Sequence, residues 1–310
     1  MRQDRRVVIW AFAMLLVAIS TVSAQPARAQ VIDPFYAGNY AIVFQGPIPS
    51  VPSRHGGITF KSGDPNTLLV CGAAESGSGA IYSLGVTRDA DGHINGFVEP
   101  AVLVVTAVNC DGGLAFDPTD VLFYSRWPSN ELGQIKPGST ITDKVIALAP
   151  FGVEDAHSAL SFVPPGFPGE GNLKMVTWDG GQWNDATLSP DGTGTFDLAT
   201  VTQIPDSRVT GGPEGILYVP TTSPLFGTPS VLILAWSAGT VDAYEVDANG
   251  DPVVSTRKLF MSAPSSDLPE GVAQDPISGD LLFGTFPRPD VIIVSGFQLP
   301  APPALPRGPR

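Results

Sequence analysis

Five side chains able to bind a metal or move a proton stand just ahead of five similar segments: His55, Asp111, His157, Glu214 and Glu270. The segments are Gly57-Ile58-Thr59-Phe60, Gly113-Leu114-Ala115-Phe116, Ala159-Leu160-Ser161-Phe162, Gly215-Ile216-Leu217-Tyr218 and Gly271-Val272-Ala273-Gln274. The chain has only 3 His, and two of them fall at this recurring place. If the segments share an axis, two imidazoles and three carboxylates converge, a costly set of like charges unless a cation or protons offset it. Mixed nitrogen and oxygen donors suit zinc or manganese, whereas carboxylates with backbone oxygens suit calcium or magnesium. Protonation of one carboxyl or of a His would instead give an acid/base pair. A third reading has the same residues tying neighbouring units together through backbone amides. The ring is also uneven. Glu214 and Glu270 lie one residue before the small residue of their segment, the other three lie two before.

What must position these groups is a repeat. The aliphatic positions Ile58, Leu114, Leu160, Ile216 and Val272 recur after 56, 46, 56 and 56 residues. Each segment is followed by a Pro- or Gly-containing turn and a second apolar run: Thr67 to Cys71, Val121 to Tyr124, Leu173 to Thr177, Val231 to Ala235 and Leu281 to Gly284. Third and fourth runs follow in the first four units, as in Ala80 to Val86 then Ala101 to Ala107, or Thr240 to Val246 then Ser255 to Met261. Gly and Pro supply 65 of 310 residues, which favours short strands over helices. Four strands per period describe a propeller blade. The fifth unit stops after a third run, Val291 to Phe297, and Tyr40 to Phe44 is placed to supply its fourth strand. The expected fold is all-β, a single β-propeller of five four-stranded blades closed by an N-terminal strand, with six blades as the alternative. Asp91-Gly92, Asp191-Gly192 and Asn249-Gly250 read as hairpin turns. Asp247 to Asp251 begins like a calcium loop but lacks the Glu that completes one, so it too reads as a turn.

Trp127, Trp178, Trp236 and Phe286 stand at or just past the ends of second strands, on the face where first strands begin. There they would either wall a cleft for a small molecule or glycan, or fill the gaps between blades. A G-x-S-x-G elbow, a P-loop, a dinucleotide fingerprint and an H-E-x-x-H pair are all missing from the sequence.

The ends and the charge bound the setting. Arg2, Arg5 and Arg6, the apolar run Val7 to Ile19 and Ala27-Arg28-Ala29 read as a signal peptide over residues 1–29. A propeller over 30–299 and a Pro-rich, disordered tail over 300–310 complete the expected organisation. The mature chain is expected to be secreted or periplasmic, monomeric and without a membrane span. Loss of residues 1–29 removes four Arg and one Asp, taking the formal charge from −13 to −16. Such a surface repels nucleic acid and anionic membranes and attracts cations. Cys71 and Cys110 are the two cysteines, and an oxidising compartment permits a disulfide between them.

At Pro213-Glu214-Gly215-Ile216-Leu217-Tyr218 and Pro269-Glu270-Gly271-Val272 the chain resembles the gluconolactonase/regucalcin-like propellers and the NHL-type repeats. That resemblance implies a divalent metal on the propeller axis and hydrolysis of lactones or phosphotriesters, with Glu214 and Glu270 as ligands. It departs in blade number, since those enzymes have six, and in His55 and His157, where they have oxygen ligands. The expected function is therefore a metal-dependent hydrolase or lyase acting on a small substrate. Its rival is a non-catalytic glycan- or protein-binding propeller whose central ring is structural.

Overall fold

The computed structural model describes residues 30–263 and 268–300. The expected signal peptide, and all but the first residue of the expected tail, lie outside the described residues. The strands form five sheets arranged as blades of one ring. The chain opens with β1 (Val31–Ile32) and β2 (Ala41–Pro47). The first blade holds β3 (Ile58–Lys61), β4 (Asp64–Gly72), β5 (Ala80–Arg88) and β6 (Ile94–Thr106). The second holds β7 (Cys110–Phe116), β8 (Leu122–Arg126), β9 (Glu131–Ile135) and β10 (Lys144–Ala147). The third holds β11 (His157–Phe162), β12 (Leu173–Thr177), β13 (Trp183–Pro190) and β14 (Phe196–Gln203). The fourth holds β15 (Pro213–Val219), β16 (Ser230–Ala235), β17 (Thr240–Glu245) and β18 (Lys258–Ser262). The fifth holds β19 (Leu268–Gln274), β20 (Leu281–Phe286) and β21 (Asp290–Ser295), and β2 completes it.

The ring closes as expected, with Ala41 opposite Ser295 and Phe44 opposite Ile292. Blade number resolves to five rather than six. One strand boundary is corrected: the fourth strand of blade four starts at Lys258, not Ser255, because Val254–Thr256 turns as a 3-10 helix. The sequence reading also missed β1, which adds to the outer edge of β18 through Val31 opposite Ser262 and Ile32 opposite Met261. Behind it Tyr36 and Tyr40 pack with Phe226, Phe260 and Phe297. The cluster anchors β1 on an edge of β18 that would otherwise be open to pairing with another chain. The expected hairpin glycines Gly92, Gly192 and Gly250 all carry positive φ.

Five apolar clusters fill the gaps between neighbouring blades, one for each gap. At the axis the inner strands approach through glycine. A Cβ on Gly113 would lie 2.6 Å from the Leu160 backbone nitrogen, and one on Gly271 would lie 2.5 Å from the Gly56 carbonyl oxygen. The small residue of the repeat is thus a requirement of a narrow ring. Between blades three and four, Lys174 is fully buried with Nζ 2.7 Å from Asp251 and 3.1 Å from Asp185. Trp183 Nε1 donates to the same Asp251. The Asp247 to Asp251 loop is a plain turn, its Asp247 side chain accepting from the Asn249 and Asp251 amides. Among the described residues no helix is long and apolar enough to cross a membrane.

Candidate functional site

Inner strands β7, β11, β15 and β19 each break register at the start; in β7, β15 and β19 the break takes in Asp111, Glu214 and Glu270, whereas in β11 it falls on Ser158 and His157 stays paired opposite Thr177. Pairing jumps between Cys110 and Leu114, between His157 and Ala159, between Pro213 and Gly215, and between Pro269 and Val272. A bulge turns one side chain out of the alternation of a regular strand. Here it brings Asp111, Glu214 and Glu270 together despite their one-residue offset in sequence. All five ring residues are buried: His55, Asp111, His157, Glu214 and Glu270 are at most 3% exposed.

Ligand oxygens of Glu75, Asp111 and Glu270 lie within 4.8 Å of one another. Glu214 is not one of these three, but it is near enough to feel the charges of Asp111, Glu270 and Glu75. Four carboxyl groups therefore meet at one mouth of the channel. Neither imidazole joins the close group. His157 Nδ1 lies 3.2 Å from the Glu131 carbonyl, tying blade three to blade two, and its Nε2 has no partner. Neither nitrogen of His55 makes a hydrogen bond, and the Val51 backbone lies near enough only to offset part of its burial.

Glu75 was not anticipated. It sits in the loop after β4, where no other blade has an equivalent. The Cys71–Cys110 disulfide brings it in: Cys71 is the last residue but one of the strand leading to Glu75, and Cys110 directly precedes Asp111. The Glu75 amide donates to the Cys110 carbonyl at 2.9 Å. Arg54 pairs with Glu75 at 2.5 Å and lies 5.0 Å above the Phe286 ring. The Cys pairing was the available signal, since it places the residues after Cys71 beside those after Cys110.

Burial, and then the other carboxylates, push the Asp111, Glu214 and Glu270 carboxyls well above the usual carboxylate range. Glu75 is raised by burial too, with Arg54 opposing. Burial lowers His55 and His157 to about 4, so both rings are neutral at pH 7. Both Asp111 oxygens, Glu214 Oε2 and Glu270 Oε1 are buried without a hydrogen-bond donor. Native proteins leave few such atoms, and a group of them on one axis calls for a cation or shared protons. The loops are also strained. Arg54, Ala73, Glu75, Asn109 and Ala156 are non-glycine residues with φ between 50° and 69°, and each is at or within two residues of His55, Glu75, Asp111 or His157. Such conformations cost about 1–3 kcal/mol each and gather at functional sites.

Around the mouth, Trp178, Trp236 and Phe286 form a continuous arc, with ring centroids 6.5 Å and 6.0 Å apart. No ring contact joins Trp127 to this arc among the described residues. Of the four expected aromatics, three thus come together and Trp127 stands apart. The Trp236 and Trp127 indole N–H groups are buried without an acceptor.

No family model matches the chain, and no curated protein matches it. Solved structures are similar at low identity. The PQQ domain of a Coprinopsis cinerea pyranose dehydrogenase is 10% identical, with TM-score 0.48, over 87% of this chain and 98% of that one. A Myxococcus xanthus glutaminyl cyclase is 15% identical, with TM-score 0.47, over 82% of this chain and 95% of that one. A Xanthomonas campestris gluconolactonase is 11% identical, with TM-score 0.45, over 88% of this chain and 98% of that one.

Proposed function

We propose that this protein holds a divalent cation with Glu75, Asp111, Glu214 and Glu270 and uses that centre for hydrolysis or elimination on a small, polar, ring-shaped substrate. The observation that carries this reading is the set of buried carboxylate oxygens without donors. A cation satisfies them together and offsets their mutual repulsion. The close donor set is all oxygen, which favours calcium, magnesium or manganese over zinc. When bound, such an ion polarises a carbonyl or lowers the pKa of a bound water.

The chain's own residues have separable tasks. The bulged inner strands aim three carboxylates at one point, and the disulfide holds the fourth against them. Arg54 restrains Glu75 while keeping a positive charge at the rim. The Trp178, Trp236 and Phe286 arc offers flat apolar surface to a ring, and the Trp236 N–H a donor. Export belongs to the same proposal, and the Cys71–Cys110 disulfide suits an oxidising compartment.

The test is calorimetric titration of chelator-treated protein with Ca²⁺ and with Mn²⁺ at pH 7.5, followed by turnover assays on sugar lactones with and without the ion. One site per chain and ion-dependent turnover support the reading. Ion binding without turnover on any hydrolysable or eliminable ligand leaves a binding module. No ion binding at millimolar concentration assigns the offset to shared protons and overturns the cation reading.

A further inference from the structure

A second cavity lies away from the carboxylates, between blades one and two. On the face of blade one that meets blade two, apolar side chains near the channel mouth, Cys71 and Ile81, give way two residues further along each strand to Leu69 and Ser83. Beyond Leu69 the same face ends in Thr67. Ser83 and Thr67 are too small to fill the gap to blade two, and a cavity of about 410 Å³ opens there. Its walls are Leu69, Val105, Leu122 and Ile135, each at most 5% exposed, with Phe116 beside them. Its volume falls within the range of about 300–1,000 Å³ usual for small-molecule sites. Because Glu75 follows the end of β4 and Asp111 starts β7, the cavity, at the opposite ends of these strands, opens away from the carboxylate mouth.

The charge at its rim departs from that of the chain. The protein carries a formal −13, and 5 of its residues are Lys. Two of these, Lys61 and Lys136, line the cavity. Lys144 and Lys174 are each bound to two carboxylates, and Lys258 lies over Phe35. Among the described residues no carboxylate stands within ion-pair distance of Lys61. Asp64, near enough to feel its charge, accepts instead from the Thr67 hydroxyl and the Asn66 amide. Lys136 shares Asp143 at 3.3 Å, and that carboxylate also accepts the Lys136 backbone N–H. Asp120, the carboxylate of the lining, accepts from the Ser62 hydroxyl. With Asp120 and the paired Asp143 set against the two ammonium groups the rim is formally neutral in a strongly acidic protein, and Lys61 is its ammonium without an ion pair over an apolar interior.

We propose that this cavity binds a small amphipathic carboxylate, an aliphatic or aryl-aliphatic acid. Its apolar body lies against Leu69, Val105, Leu122 and Ile135, and its carboxylate lies at Lys61 and Lys136. The site is separate from the axial carboxylates and does not depend on their cation. The experiment is calorimetric titration of the whole protein with decanoate and with 1-decanol, in chelator. The expected result is one decanoate per chain, with decanol bound at least tenfold more weakly. Lys61→Gln/Lys136→Gln should lose at least tenfold in decanoate affinity and leave the melting temperature unchanged. Ser83→Phe, which fills the cavity, should abolish binding of both ligands. Failure of decanoate to bind overturns the proposal, as does equal affinity for decanol, or unchanged decanoate affinity in the double lysine variant.

Discussion

Replacing Glu270 by Gln should make the protein more stable without cation and less responsive to it. In chelator at pH 8 only Arg54, paired with Glu75, and bound protons offset the charge of the buried carboxylates. Two unit charges at the 4.8 Å limit of the group repel by about 3 kcal/mol at an effective dielectric of about 20. Glu270 has two such neighbours, Glu75 and Asp111. Raised carboxyl pKa values mean that part of this charge is already neutralised by protons, so a relief of about 1–3 kcal/mol is expected. For a domain of this size each kcal/mol moves the melting temperature by about 2–4 °C, so Glu270→Gln should melt about 2–12 °C higher than the parent in chelator. The amide keeps the shape of the side chain and can donate to Asp111. Added cation should reverse the order. At one hundred times its dissociation constant a bound ion stabilises the parent by about 2.7 kcal/mol, and the variant, short of one ligand, should lose most of that. Differential scanning calorimetry with EDTA and with Ca²⁺ or Mn²⁺ reads both effects. A lower melting temperature for Glu270→Gln in EDTA, with the cation response intact, would refute the reasoning, because it would make Glu270 a satisfied structural group.

Other perturbations test other parts of the account. His55 and His157 have folded-state pKa values lowered from 6.5 to about 4, so the folded state binds fewer protons than the unfolded one between these limits. Their contribution is complete above pH 6.5 and is lost as pH falls towards 4, by up to about 3 kcal/mol per ring. A His157→Phe variant should show a shallower loss of stability between pH 6.5 and 4 in urea titrations. The carboxyls act in the opposite sense: their raised values make the cation-free protein lose stability as pH rises above the unfolded carboxylate range. The melting shift on adding Ca²⁺ should therefore grow from pH 5 to pH 8 when followed by scanning fluorimetry. Cys71→Ala/Cys110→Ala opens a cross-link spanning 39 residues and should cost about 3–4 kcal/mol in guanidinium unfolding. It should also weaken cation affinity measured by calorimetry, because Glu75 loses its tether to Asp111. Lys174→Met leaves Asp251 buried without its ammonium partner and should destabilise by about 3–5 kcal/mol in the same unfolding assay.

Much of the ring was legible because its determinants are periodic. Ile58, Leu114, Leu160, Ile216 and Val272 mark inner strands by spacing, and the run at Tyr40–Phe44 was recognisable as the strand missing from the fifth unit. Asp111, Glu214 and Glu270 could be proposed as neighbours because the same period carries them. Glu75 could not, since it belongs to a loop of one blade and reaches the site through a cysteine pair whose bonding the sequence left open. The bulges were also hidden: they appeared only as the one-residue mismatch between Glu214 and Asp111. His157 falls outside the close carboxylate group because the break in β11 falls on Ser158, which leaves His157 paired opposite Thr177 and bonded to the Glu131 carbonyl. Strand β1 carries no repeat signal, and its place follows from Tyr36 and Tyr40 finding an aromatic pocket formed by residues as distant as Phe297.

Anomalous diffraction from crystals grown in chelator and soaked in Mn²⁺ examines the axial centre most directly. One strong manganese peak is expected, bounded by the carboxylates of Glu75, Asp111, Glu214 and Glu270 and absent from crystals of Asp111→Asn. Density showing those four carboxyl groups joined by short hydrogen bonds, with no anomalous peak at saturating Mn²⁺, would contradict it.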